Sequence, residues 1–422
     1  MKITKVQAYQ LLDSRGRPTV AASITLDDAS VHTARVPSGA STGAHEATEL
    51  RDLGTAHAEK FYGGKSVFTA VDNVNAKIAP ALTGNEIALE SVDQKLKELD
   101  PSISHKALGA NATLAVSLAA AKAEAHSKKL SLARLFTPTG KLLLPMPMVN
   151  ILSGGAHANR TLDIQDVLVL PHGAKTFSEA LSWIVAIREL AAVRGREKGL
   201  VTHLVADEGG LGIPFDSIDE ACSFVVSCIE ELGLKSGSEV SLALDIASTQ
   251  FFQNGRYELV NAKKSFTSAE FVQFISTLVK NQPIISIEDP FAEDDWESWK
   301  SFASIAPAAL QLLGDDLFTT SPSRLQRGID EKCANAILIK PNQNGLVSDT
   351  LRVLESAHVA GFKTVVSARS GETEDSWLAD LATGWKAEQI KVGSTHGSER
   401  NAKWNRLLEL EATEETKFAQ PF

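Results

Sequence analysis

Ile284-Ile285-Ser286-Ile287-Glu288-Asp289-Pro290 is an apolar run that ends in two carboxylates and a proline. A run that is apolar without strict alternation reads as a strand buried on both faces, as in a parallel sheet covered by helices. Its charged end needs a partner, because a bare charge beside a buried strand is costly. The same pattern recurs around it. Leu242–Leu244 leads into Asp245, Leu312-Leu313 into Asp315-Asp316, and Ala336–Ile339 into Lys340. Thr364–Val366 leads into Arg369-Ser370, and Gln389–Val392 carries Lys391. Upstream, Leu204–Ala206 leads into Asp207-Glu208, whereas Val167–Leu170 is preceded by Asp166 and breaks the rule. Eight such runs, alternating with helical stretches, predict an α/β chain whose C-terminal part is a (β/α)8 barrel with its site at the strand C-termini. No GxGxxG follows an early strand and no GxxxxGK[ST] loop occurs, which argues against a doubly wound nucleotide-binding sheet.

The N-terminal part has a different rhythm. Ile3–Leu11 and Thr19–Leu26 read as strands, Ala107–Ala125 as an alanine-rich helix able to pack closely, and Pro37–Glu46 (PSGASTGAHE) as a mobile loop. Prolines and a glycine interrupt the chain around Phe136–Pro147. This sets an N-terminal α+β capping domain at 1–137 and a barrel domain at 138–422. The net charge of −10 argues against nucleic acid or an anionic membrane surface as partner. No apolar run is long enough to span a bilayer, and Met1–Lys5 has no apolar signal-peptide core. The three cysteines, Cys222, Cys228 and Cys333, form no CxxC pair and point to a reducing, cytoplasmic setting.

Asp245, Glu288 and Asp315 end successive strands, and three carboxylates aimed at one place repel unless a cation neutralises them. An oxygen-only ligand set favours Mg²⁺ over Zn²⁺. Lys340 follows as a base whose pKa a neighbouring cation would lower, and Glu208 as an acid if its pKa is raised enough to hold a proton. Arg369 offers a planar fork suited to phosphate, with Ser370 beside it.

The runs SGASTG (38–43), DEGG (207–210), SIEDPFAEDDW (286–296), GDDLF (314–318), LIKPNQNG (338–345), RSGETED (369–375) and GSER (397–400) are similar to those of the enolases, in order and spacing along nearly the whole chain. The resemblance implies interconversion of 2-phosphoglycerate and phosphoenolpyruvate, a step of glycolysis, by a homodimer or higher homo-oligomer with two Mg²⁺ per site. A lysine base with Mg²⁺ stabilising the ene-diolate is the general pattern of that superfamily. Carried over residue by residue, the resemblance gives Asp245, Glu288 and Asp315 to the first Mg²⁺ and Ser41 to the second. Lys340 is then the base and Glu208 the acid. Lys391 takes the substrate carboxylate, Arg369 and Ser370 take the phosphate, and His157 and Asp166 belong to the substrate pocket.

The chain departs from the resemblance in places. Ala368 stands where the family has a histidine, and Asp166 where it has a glutamate. Pro290 and Pro341 would alter the backbone leaving two strands. His396, in the loop beside Lys391, is read either as a substitute imidazole or as an ordinary loop histidine. These departures keep two alternatives open: an enolase-like paralogue acting on a related phospho- or phosphono-hydroxy acid, and a catalytically weak enolase-like binding protein.

Overall fold

The computed structural model describes residues 1–40, 43–55 and 60–422. The chain opens with three strands, β1 (Ile3–Leu12), β2 (Pro18–Leu26) and β3 (Val31–Arg35), in an antiparallel meander. The third strand is absent from the reading of the sequence. It is short and carries His32 and Arg35 within five residues, so it lacks the apolar run that marks the other two. Two helices, α1 (Leu89–Leu99) and α2 (Ala110–Ser127), follow. The alanines of α2 remove bulk on every side, so the helix sinks against β2 and β3 with nearly all of its residues buried.

The barrel is closed by β4 (Met146–Ser153), β5 (Asp166–Leu170), β6 (Ser241–Asp245), β7 (Ile284–Glu288), β8 (Gln311–Gly314), β9 (Ala336–Ile339), β10 (Lys363–Ser367) and β11 (Gln389–Lys391), neighbours in chain order, with β11 returning to β4. Two expectations are corrected. Leu204–Ala206 is not a barrel strand, since only an isolated bridge from Val205 to Leu211 forms there. The first staves are instead β4 and β5. Pro145 and Pro147 disguised β4 as a boundary. Pro147 lies before the ladder with β5 begins at Val149, so its missing N–H removes no hydrogen bond there. The barrel is also not all parallel: β5 runs antiparallel to both β4 and β6, while the remaining pairs are parallel. The twelve-residue connection from Ser153 to Asp166 carries no crossover helix, which a reversed neighbour does not need. Two helices, α3 (Phe177–Glu197) and α4 (Ile218–Glu231), then lead to β6.

The period of two along each stave sorts its side chains. Met146, Met148, Leu168, Leu170, Ala243, Leu313, Ala336, Leu338 and Val365 fill the barrel interior. Their alternates, such as Leu244, Ile287, Ile337, Ile339 and Val366, pack in the outer layer with the helices. One step nearer the mouth in the interior register come Asn150, Asp166, Asp245, Asp315, Lys340 and Lys391. Reversal of β5 explains why Asp166 begins its strand, because the start of a reversed stave lies at the same mouth as the ends of the others.

The N-terminal sheet docks on that mouth. Ser38 and Gly371 exchange two backbone hydrogen bonds of 2.8 and 2.9 Å, Lys122 pairs with Asp375 at 2.7 Å, and the Trp377 indole donates to the Arg35 carbonyl. On the flank, Asp93 of α1 meets the N-terminus of the helix Val347–Val359, where Ser348 N donates to its Oδ2 at 3.0 Å. Burial pushes the Asp93 carboxyl up from 3.8 to about 6, against the hydrogen bonds it accepts. The native state therefore binds the proton more tightly than the unfolded chain. Stability from this group is full below the unfolded value and is lost as pH rises through about 6. We expect the stability difference between wild type and Asp93→Asn to shift by ~2 kcal/mol against wild type between pH 4 and 7. Urea titrations of both proteins at the two pH values check this, and parallel curves would contradict it.

Candidate active site

Lys391 stands at the centre of the mouth. Its Nζ donates to Asp245 Oδ2 and Glu288 Oε2, each at 2.7 Å, with all three side chains buried. Burial would lower the Lys391 pKa, but Asp245, Glu288, Asp166 and Glu208 together hold it well above the ordinary lysine range. Gln165 Nε2 adds a second donor to Asp245 at 2.9 Å and is itself held by Gln250. On the far side Lys340 Nζ pairs with Asp315 Oδ2, and Gln343 Nε2 donates to Asp315 Oδ1 at 3.0 Å. Pro341 does not disturb this arrangement: it opens a single helical turn, Pro341–Asn344, where a missing N–H costs nothing.

Burial would lower the Lys340 pKa, but the Asp315 and Glu288 carboxylates together raise it above the ordinary value. Asp315 in turn is driven up by burial but held net low by Lys340. Glu288 goes the other way: burial and the Asp245 charge push it well up, and its Oε1 is buried with no partner.

The opposite wall carries the second acidic group. Asn150 Nδ2 donates to Glu208 Oε2 at 3.1 Å, and Ser153 Oγ donates to Asp166 Oδ1 at 2.5 Å. Burial acts on both carboxyls. For Glu208, burial is outweighed by His157 and by the Arg400, Lys391 and Lys340 cations, and the group is held below the usual range. For Asp166 burial and the Glu208 charge act together and push it well up. Asp166 Oδ2 and His157 Nδ1 are both buried without a partner.

Arg369 is almost fully buried at the end of β10 and lays its Nη1 on Glu46 Oε2 at 2.8 Å. The Ser370 hydroxyl accepts from Ala40 N at 2.8 Å and from Arg15 Nη1 at 3.4 Å, which leaves its hydrogen to donate. Behind them the buried Arg400 ties the loops together. Its Nη1 donates to the Arg369 and Val392 carbonyls at 2.6 and 2.9 Å, and its Nη2 to the Ser370 carbonyl at 2.6 Å. The structure thus brings Lys340, Glu208, His157, Asp166, Arg369, Ser370, Lys391, Asp245, Glu288 and Asp315 to one end of the barrel. Ser41 lies outside the described residues. Ala368 is buried in the hydrophobic cluster, and His396 is exposed, lining a polar cavity of about 420 Å³ with Arg15, Arg17, Asp207 and Glu399 at the rim.

A model described as the enolase C-terminal TIM barrel domain matches residues 141–420, and one described as the enolase N-terminal domain matches residues 3–136. The chain belongs to the enolase family. Its coarse chemistry is therefore that of an enolase-type lyase.

Two carboxylate sets at this enolase mouth could hold a divalent cation. Among the described residues the tightest trio is Asp289, Asp315 and Asp316, with one oxygen of each within 4.8 Å of the others. Asp289, however, spends both oxygens on backbone amides, accepting from Asp315 N at 3.0 Å and Asp316 N at 2.7 Å, with its own φ at +41°. It reads as the bracket that shapes the turn after β8. Asp245, Glu288 and Asp315 fit better: the orphaned Glu288 Oε1 needs a positive partner, and Lys391 now spans Asp245 and Glu288 as a cation would.

Residues that the sequence reading left out are Asn150, Ser153, Gln165, Gln343, Arg400 and Glu46. Ser153 has a legible counterpart in Gly210, where any Cβ would lie 2.2 Å from the Ser153 Oγ. Gly210→Ala should cost ~1–3 kcal/mol by overpacking and turn Ser153 off Asp166. Ser153→Ala should cancel part of that cost, so thermal denaturation of the double mutant should show less than the sum of the single losses. Strict additivity would contradict the contact.

Proposed function

We propose that this enolase-family protein dehydrates 2-phosphoglycerate to phosphoenolpyruvate with Mg²⁺, as a cytoplasmic glycolytic enzyme built from domains 1–137 and 138–422. The observation that carries the reading is the placement of base and acid on facing walls. Lys340 leaves β9, and the acid, Glu208, lies beside Asp166 at the start of β5, four staves away around an eight-stave barrel. Elimination of water by removal of a proton on one face and loss of hydroxide on the other needs this opposition.

The substrate carboxylate is placed by Lys391 and its phosphate by Arg369 and Ser370. Lys340 takes the proton alpha to the carboxylate as the free amine, the form a cation bound beside it would favour. The C–O bond of the β-hydroxyl then breaks as Glu208, once it has taken up a proton in the loaded site, delivers it so that water leaves, and Asp166 and His157 line that end. Two Mg²⁺, the first on Asp245, Glu288 and Asp315 and the second with Ser41, would supply the positive charge that offsets the second negative charge on the substrate carboxylate. A homodimer or higher homo-oligomer belongs to the same reading and rests on the family membership alone.

A second reading has its own observation: Ala368 places no imidazole at the mouth, and the shorter Asp166 leaves more space there. This favours a related phospho- or phosphono-hydroxy acid as substrate.

Two measurements test these readings. With Mg²⁺ and 2-phosphoglycerate, formation of the enol phosphate is expected in the ultraviolet, and Lys340→Ala should lower kcat by about 10²–10⁴-fold. Equal rates in the two proteins would remove Lys340 from the mechanism, and turnover of only phosphonate analogues would select the second reading. Chelation should abolish turnover, and Glu288→Gln should raise the Mg²⁺ needed for half-maximal activity by about tenfold or more, since one ligand charge is gone. Metal-independent activity would refute the cation site.

A further inference from the structure

Residues 43–50 lie over the barrel mouth outside any helix or strand, held at their edge by Ala44 and His45 on Glu293 and Asp294 and at the buried site by Glu46. Glu46, whose carboxylate is 7% exposed, faces inward onto Arg369, which is 3% exposed. The contact is two-pronged, Nη1 to Oε2 at 2.8 Å and Nη2 to Oε1 at 3.3 Å. Glu46 Oε1 also accepts from Gly43 N at 2.9 Å and from Gln343 Nε2 at 3.4 Å. Gln343 is the residue that donates to Asp315, and its carbonyl accepts from Ala47 N at 2.9 Å. A continuous line of polar contacts therefore runs from Arg369 through Glu46 and Gln343 to Asp315 and Lys340.

A guanidinium recognises an anion through a rigid planar fork, so the orientation of that plane decides how well it binds. A carboxylate engaging both Nη atoms fixes the plane. We propose that Glu46 is a positioning residue: it sets the Arg369 fork for the substrate phosphate and, through Gln343, ties that setting to Asp315. The inference rests on the reading of Arg369 as the phosphate contact. It also gives residues 43–50 a role apart from Ser41, because their described end is hung on the anion-binding arginine.

The test compares wild type, Glu46→Gln and Glu46→Ala as full-length proteins with Mg²⁺, measuring kcat, KM for 2-phosphoglycerate, inhibition by inorganic phosphate and Tm. Glu46→Ala should raise KM and the phosphate inhibition constant together, by about tenfold or more. Its Tm should stay near that of wild type. Glu46→Gln, which keeps one oxygen for the fork but loses the charge, should fall between. Values within about twofold of wild type for both constants would overturn the proposal, as would losses that track only the fraction of folded protein. Should wild type not turn over 2-phosphoglycerate, the substrate reading fails by itself. Calorimetric binding of inorganic phosphate then decides this inference: weaker binding by Glu46→Ala supports it, and equal or tighter binding overturns it.

Discussion

Buried carboxylates at one end of a closed barrel can persist only where positive charge is interleaved among them. The staves are hydrogen-bonded all the way round, so repulsion cannot relax by drawing the walls apart. The protein answers with Lys391 between Asp245 and Glu288 and with Lys340 against Asp315. Where cations are fewer, a proton serves: burial and the Asp245 charge push Glu288 up, and burial and the Asp316 charge push Asp289 up. The protonation of each group is thus set by its neighbours, which makes the mouth one coupled titrating unit.

Much of the barrel was legible because buried parallel staves leave continuous apolar runs: seven of the eight proposed runs are staves, six of them with at least one parallel neighbour. The failures have local causes. Met146–Ser153 hides behind two prolines and a polar Asn150 that faces the mouth. Leu204–Ala206 has the composition of a stave, but its side chains lie at the surface, with Leu204 and Val205 exposed. Asp166 looked like an exception to the strand-end rule and turned out to be an instance of it on a reversed strand. Strand direction is a property of connections, and apolar runs carry no sign of it.

The charged members of the site were legible because charge beside a buried strand demands explanation. Their protonation was not. Burial raises both Glu208 and Asp166, yet His157, Arg400, Lys391 and Lys340 bring Glu208 down while the Glu208 charge pushes Asp166 further up. Neutral or structural partners were hidden for a related reason. Gln343, Asn150 and Ser153 act by holding a charged atom at a fixed distance, and Arg400 by gathering carbonyls from separate loops. Such roles depend on which segments meet in space, and spacing along the chain does not record that.

The reversed stave has a consequence for how this mouth can be remodelled. In a barrel of parallel staves, a connection that starts at the catalytic end returns from the opposite end, so its length is constrained by the helix it contains. Here Ser153 and Asp166 both sit at the catalytic end and touch each other, so the stretch between them begins and ends at the site and carries His157. Leu162 and Ile164 pin its second half in the core. Its length is therefore free of any crossover helix, and change is confined to the residues between that anchor and the site.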